Sequence, residues 1–169
     1  MVSETIIEAE ISRLQNASVA EELARLGQQQ PALLHYLNDS DVGEFSEEEQ
    51  ALLFYGAVVL FGALEQAYGP VEEIDGETIG AAEDENFALL LNLQPGSFQE
   101  RVTVFFEHSE EEDLLAFIED LLSATGEADE VAELAQAGLE PLEVHPVARE
   151  PLFAILKTVV DVLTAAPQK

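Results

Sequence analysis

The sequence contains no cysteine, and only six of its 169 residues are lysine or arginine. Without cysteine the chain can form no disulfide bond, no thiolate metal site and no cysteine nucleophile. A nucleic-acid-binding surface needs clustered lysine and arginine to neutralise phosphates, and here the four arginines stand singly along the chain. We therefore expect no nucleic acid as a partner. We expect no membrane either, because an anionic lipid surface would repel a chain of this charge.

Acidic residues dominate the charge: 35 aspartates and glutamates give a formal net charge of -29, while 47% of the residues are hydrophobic. Disordered acidic segments are poor in apolar residues and cannot offset the conformational entropy lost on folding. This chain has enough apolar material to fold, so its acidic side chains should point outward. They cluster along the whole length, at 21–22, 47–49, 72–73, 83–85, 110–113 and 127–133. Such dispersion indicates a property of the whole surface and not an acidic tail.

Three explanations account for this surface. The first is adaptation to a salty cytoplasm, because at molar salt the Debye length falls to about 3 Å and repulsion between surface carboxylates is screened. The second is a polyanion mimic that occupies a basic groove on a nucleic-acid-binding partner. The third is an acidic protein without either specialisation. Only eight of the acidic residues are aspartate, which is fewer than we expect for salt adaptation.

The apolar segments do not predict a secreted or membrane protein. The first eight residues lack the basic and long apolar regions of a signal peptide. The longest apolar run, Ala51 to Leu64, has fourteen residues, whereas a membrane-spanning helix needs about 20. We interpret this run as a buried core helix and expect a cytoplasmic protein.

Helical spacing of apolar residues recurs in almost every segment, as at Ile7, Ile11 and Leu14. We predict an all-α fold, with one domain over residues 1–169 and about six to eight helices around a central apolar helix near residues 47–68. That helix is apolar on every side, which is typical of an element surrounded by its neighbours.

Local signals set the expected boundaries of this central helix and of its neighbours. Ser46 and Glu49 form a capping box at its start, and Gly56 and Gly62 inside it indicate close approach of another helix. Helices are also expected at 19–26 (ended by Gly27), 32–37, 81–93, 127–137 and from Glu150-Pro151 onward, with loops at 38–45, 71–80 and 141–146.

Residues 97–107 are ambiguous between helix and strand. Val102 to Phe106 are β-forming residues, but Ser97 and Glu100 form a capping box immediately before them. We predict helix here. Ser109 and Glu112 are expected to cap the helix that follows.

The three histidines are the scarcest candidate metal ligands. None of His35, His108 and His145 has an acidic residue three positions before it, so the Glu-x-x-His pairs of a di-iron bundle are absent. His108 with Glu111 and Glu112 could present one face of a metal site, but a solvated histidine at a helix junction is the expected interpretation.

The acidic turn that starts at Asp39 resembles a calcium-binding EF-hand loop only in part. Asp39 and Asp41 match the first and third ligand positions, but Gly43, Glu44 and Gln50 fall where the loop needs a ligand, glycine and a bidentate glutamate. Nucleophile elbows and phosphate-binding glycine loops are also absent. We predict no catalytic, cofactor-binding or metal-binding residue.

The sequence does not identify a function, and three hypotheses remain. The first is a non-enzymatic helical protein that binds a protein partner or associates with itself, using apolar grooves rimmed by acid. The second is an acidic inhibitor or nucleic-acid mimic that occupies a basic partner. The third is an enzyme or binding protein with a carboxylate-lined pocket between helices, which needs no recognisable motif.

Overall fold

Helix is the only regular secondary structure in the computed structural model, which describes residues 1–39, 45–123, 144 and 146–168. The eight helices of these residues are α1 (Glu4–Gln15), α2 (Val19–Gln29), α3 (Pro31–Asp39), α4 (Glu47–Tyr68), α5 (Gly76–Leu91), α6 (Phe98–Glu107), α7 (Glu112–Ser123) and α8 (Pro146–Ala165). They pack as one domain around one hydrophobic core, so the prediction of an all-α fold is confirmed.

Side-chain caps explain where several helices begin. The side chains of Ser18, Ser46, Asp75 and Ser97 each accept the backbone N–H three residues further on. At Ser46 the box is complete, because Glu49 also accepts the Ser46 N–H at 2.9 Å. Residues 98–107 form helix α6, so capping prevails there over β propensity.

Two long helices form the centre of the bundle. The predicted central helix, α4, is buried along most of its length, and α8 is buried as extensively, with Phe153, Leu156 and Val159 fully enclosed. A Cβ atom at Gly56 would stand 3.0 Å from the Leu121 side chain of α7 and 3.2 Å from Leu156 of α8. The predicted close approach at Gly56 is therefore confirmed.

Several predicted boundaries are wrong. The helix expected at 32–37 spans Pro31–Asp39, and the helix expected at 81–93 ends at Leu91. Four further boundaries are also wrong. Helix α2 runs through Gly27 to Gln29; the glycine leaves room for Leu34, whose Cδ2 would lie 2.6 Å from an added Cβ. Residues 76–80 belong to α5, because Asp75 caps a helix there. Helix α8 begins at Pro146 and contains Pro151, which near its start removes one hydrogen bond.

The fourth error concerns the start of α7. The Ser109 hydroxyl accepts the Glu111 N–H at 3.1 Å, and not that of Glu112. The Glu111 carbonyl then accepts the first helical N–H, from Leu115, at 3.1 Å. The expected helix at 127–137 and most of the expected loops at 38–45 and 141–146 lie outside the described residues.

Candidate functional site

Polar side chains join α5 to α8, and three of them, Asn86, Lys157 and Thr158, are buried. Asn86 donates from Nδ2 to Thr158 Oγ1 and to Asp161 Oδ2, both at 3.0 Å, and Lys157 donates to Asp161 Oδ1. Thr158 in turn donates to the Ala154 carbonyl at 2.8 Å. Both oxygens of Asp161 therefore have an internal donor. We call Asn86, Lys157, Thr158 and Asp161 the α5–α8 cluster.

Tyr36 of α3 lies beside this cluster. Its hydroxyl is buried without a well-formed hydrogen bond, although Glu83 and Thr158 lie close by. Burial, and then the Glu83 carboxylate, raise the pKa of Tyr36 above its ordinary value. The phenol therefore stays protonated across the physiological range.

A second cluster lies between α1 and α4. Glu10 is only 1% exposed and binds the Arg13 guanidinium through both carboxylate oxygens. Gln66 of α4 donates to Glu10 Oε2 at 2.6 Å. These contacts explain Gly62, since an added Cβ would stand 2.0 Å from Glu10 Oε1.

This second cluster continues through α2 as a chain of ion pairs. Arg13 pairs with Glu22 at 2.9 Å. Arg25 pairs with the same Glu22 at 3.1 Å and also with Glu65 of α4 at 2.6 Å. Arg25 also lies over the ring of Phe61, 5.0 Å from its centre. The hydrogen bond from Arg13 lowers the pKa of Glu22. We call Glu10, Arg13, Glu22, Arg25 and Glu65 the arginine network.

A third cluster fixes the beginning of the chain. Glu111 is buried and accepts the Val2 backbone N–H at 2.8 Å and the hydroxyl of Tyr68. Burial, followed by the contact with Glu111, raises the pKa of Tyr68 to about 12. Val2 itself is fully buried, so Glu111 holds an apolar residue in the core.

The histidine and calcium candidates do not form a metal site in the described part of the chain. Glu111 points to Val2 and Tyr68, while His108 follows the last residue of α6. His35 is mostly exposed and pairs with Asp39, with Nε2 2.8 Å from Oδ2. The described residues contain no group of three histidine or acidic side chains that could hold a metal, and residues 40–44 of the acidic turn lie outside them.

A small cavity lies between the ends of α4 and α8. Its volume is about 10 Å³, which is room for about one water molecule. The lining is mainly apolar and consists of Phe61, Leu64, Glu65, Tyr68, Gly69, Pro70, Val71 and Leu163. This cavity is too small for a metabolite.

Basic side chains are used internally, whereas most acidic ones are not. Besides the two arginines of the arginine network, Arg101 pairs with Glu150 at 2.7 Å and Lys157 with Asp161. Exposed carboxylates lie on seven of the described helices, at residues 4, 8, 21, 39, 47, 48, 77, 84, 85, 100, 107 and 112 among others. Exposed acidic side chains are therefore distributed over most of the described helices.

Helix α4 is long and apolar enough to cross a membrane by length and composition alone. However, 67% of its apolar window is buried inside the protein. That burial is typical of the core helix of a soluble protein.

Comparisons with known proteins give no relative: no family model, no curated protein and no solved structure matches this chain.

Proposed function

We propose that this protein is a non-enzymatic binding protein of the cytoplasm, and that its acidic exterior docks against a basic surface of a protein partner. This proposal rests on one observation: the described basic side chains are largely paired within the protein, whereas many of the described acidic side chains are not. Arg13, Arg25, Arg101 and Lys157 are each paired with a carboxylate of the same chain. By contrast, exposed carboxylates such as Glu8, Glu21 and Glu85 take part in none of the ion pairs seen among the described residues. A partner of opposite charge would be attracted and oriented by such a field.

The buried polar groups support a binding role over catalysis. A carboxylate that acts as a general acid or base must lie within hydrogen-bond reach of a substrate. In Glu10, Glu111 and Asp161, both oxygens already accept a hydrogen bond from the protein. Glu49 completes a helix cap. These groups hold helices and the chain terminus in place.

The spread of the exposed acid favours a general electrostatic surface over a nucleic-acid mimic. A mimic needs its carboxylates along one track at phosphate-like spacing, whereas here exposed carboxylates are spread over seven helices and are not concentrated on one element. The same spread suits a salty cytoplasm, in which screening leaves only close contacts effective. Binding would then depend on the ionic strength of the cell.

Affinity capture from a lysate of the source organism tests this proposal. The bait is compared with a variant that carries glutamine at exposed Glu8, Glu21, Glu85 and Glu107. A matched control carries serine at four exposed glutamines, Gln28, Gln50, Gln94 and Gln99, which leaves the charge unchanged.

The proposal expects basic proteins that both the wild type and the serine control retain. The charge-reduced variant should retain less of them, and rising salt should release them. The proposal would be contradicted if the wild type retained no more protein than an empty matrix. It would also be contradicted if the charge-reduced variant retained as much basic protein as the wild type.

A further inference from the structure

The loop between α4 and α5 pairs with another extended segment of the chain. Residues 166–168 follow α8, and Gln168 lies opposite Val71 of the loop in an antiparallel β-bridge. Beside this bridge the Glu72 N–H donates to the Pro167 carbonyl at 2.8 Å. The loop therefore offers its backbone to an extended neighbour, as the edge strand of a sheet does. We call residues 166–168 the α8 extension.

Gln30 of α2 fixes this loop independently of the α8 extension. The Gln30 amide is buried, its Nε2 donates to the Glu72 carbonyl at 3.0 Å, and its Oε1 accepts the Ile74 N–H at 2.9 Å. Ile74 itself is buried in the core. We call residues 70–75 the acidic loop. With these anchors the acidic loop would keep its extended form if the α8 extension moved away.

The α8 extension is held much less firmly than the acidic loop. Among the described residues, one backbone hydrogen bond links it to the loop, and both Pro167 and Gln168 are exposed. A single backbone hydrogen bond adds little net stability, because water can replace either partner at an exposed site. The contact between the two segments is therefore one that a competing peptide could exchange.

Charge decides which peptide can replace the α8 extension. The sequence from 70 to 77 contains no basic residue, whereas the α8 extension, Ala-Pro-Gln, is uncharged and offers no counter-charge. Exposed carboxylates line the acidic loop and the start of α5: Glu72, Glu73, Asp75 and Glu77. A peptide that carried lysine or arginine in this place would be attracted by all four.

We propose that the acidic loop is the docking site for an extended basic segment of the protein partner, which takes the place of the α8 extension. This inference rests on the proposed function, because it names the part of the basic partner that binds and where it binds. The segment forms main-chain hydrogen bonds with the loop, as in β-strand addition, and its basic side chains meet the four carboxylates. The α8 extension is then an autoinhibitory contact that the partner must displace.

A reversible covalent lock tests this inference, because the chain has no cysteine of its own. Val71→Cys combined with Gln168→Cys places two thiols at directly opposite positions of an antiparallel pair, where Cα atoms lie about 4.5–5.5 Å apart. A disulfide can bridge that distance. Oxidation then holds the α8 extension on the loop, and reduction frees it in the same variant. The probe is a short fluorescein-labelled peptide of alternating lysine and valine, and its binding is measured by fluorescence anisotropy.

The wild type and the reduced variant should bind this probe, and the oxidised variant should bind it about tenfold or more weakly. A probe with glutamate in place of lysine should bind none of the three. A lysine probe with methylated backbone nitrogens should bind more weakly than the unmodified one, because it has lost main-chain donors.

A pair of charge variants separates the acidic loop from the general acidic exterior. Glu72→Gln with Glu73→Gln should weaken binding of the probe. Glu47→Gln with Glu48→Gln removes the same charge from exposed positions at the opposite end of α4 and should weaken it far less. Circular dichroism checks that every variant keeps its helices.

Three results would overturn the inference. Equal binding by the oxidised and reduced forms, or equal losses from the two glutamine pairs, would show that the probe binds the acidic exterior elsewhere, and the proposed function would stand. No binding to the reduced form would overturn the inference as well. Affinity capture from the lysate would then decide the proposed function separately.

Discussion

The Glu10 carboxylate occupies the space that a side chain at residue 62 would need: a Cβ added to Gly62 would stand 2.0 Å from Glu10 Oε1 and 3.0 Å from Glu10 Cγ. Glu10 cannot easily move aside, because Arg13 and Gln66 hold both of its oxygens. The glycine in the core helix and the buried acid of α1 therefore depend on each other.

Gly62→Ala should consequently destabilise the protein by about 1–3 kcal/mol, the usual cost of overpacking a core. Urea unfolding measures this change. The matched control is Gly80→Ala in α5, where an added Cβ meets nothing within 4 Å. That change should stabilise the protein by about 1 kcal/mol, since alanine is the better helix former. Equal effects at the two glycines would contradict the role assigned to Glu10.

Asn86 provides a second test, in the α5–α8 cluster. Asn86→Ala removes the donors to Thr158 and Asp161 and should cost about 1–3 kcal/mol, because the buried Thr158 hydroxyl loses its donor and the partly buried Asp161 carboxylate loses one of two. Asn92→Ala is its control on the exposed end of the same helix, where the amide bonds only the Ala88 carbonyl. Its effect should stay within about 0.5 kcal/mol. If both changes cost the same when measured by urea unfolding, the buried cluster does not stabilise the fold.

The positions of these polar residues explain what the sequence could and could not predict. The apolar run of α4 and the cap at Ser46 are local patterns, and both predictions were confirmed. The contacts of Glu10 with Gln66 and of Asn86 with Thr158 are not local, because the partners lie 56 and 72 residues apart. Each residue falls where its helix otherwise presents apolar side chains to the core, such as Ile7 and Leu14 around Glu10. A polar residue on the apolar face of a helix was a signal that the sequence offered, but glutamate is so abundant in this chain that Glu10 does not stand out.

The errors at helix ends arise from the same limitation. Gly27 fits a helix stop by sequence, yet the residue is small because Leu34 of α3 packs against it. Pro151 fits a first helical position, yet α8 begins at Pro146. At Gly27 tertiary packing overrides a local preference. Pro146 and Pro151 both fit a first helical position, and the local pattern does not choose between them.

Salt should stabilise the folded protein. The compact state holds a net charge of -29, and screening relieves the repulsion among its exposed carboxylates more than in the expanded unfolded chain. The urea midpoint should therefore rise from dilute buffer to molar KCl. Glu8→Gln, Glu85→Gln and Glu107→Gln combined should raise stability in dilute buffer and reduce its response to KCl, since all three side chains are exposed. A urea midpoint that does not change with KCl would leave the acidic composition without this explanation.

The pair Glu119 and Asp120 and the single residue Glu22 should make stability depend on pH in opposite ways, because their pKa values are shifted in opposite directions. Partial desolvation raises the pKa values of Glu119 and Asp120 in α7 above their ordinary 4.5 and 3.8, although Asp120 still lies at the surface. The folded protein then binds these protons more readily than the unfolded chain, so their charged forms destabilise it above the raised pKa values. Glu22 is the reverse: its pKa lies below 4.5 because Arg13 bonds its charged form. Its stabilisation is present at neutral pH and is lost as pH falls through the lowered pKa.

Glu119→Gln with Asp120→Asn should therefore stabilise the protein at neutral pH, and the gain should vanish as pH falls toward 4. Glu22→Gln should destabilise it at neutral pH, and that deficit should shrink on acidification below pH 4.5. Urea unfolding of the three proteins at several pH values measures both trends. Acid also relieves the general repulsion among carboxylates, but this effect is nearly the same in all three proteins. The difference in unfolding free energy between a variant and the wild type therefore reports the contribution of the substituted carboxylates. If the stability differences of both variants from wild type changed in the same direction with pH, the local contacts of Arg13 and the burial of α7 would not control these carboxylates.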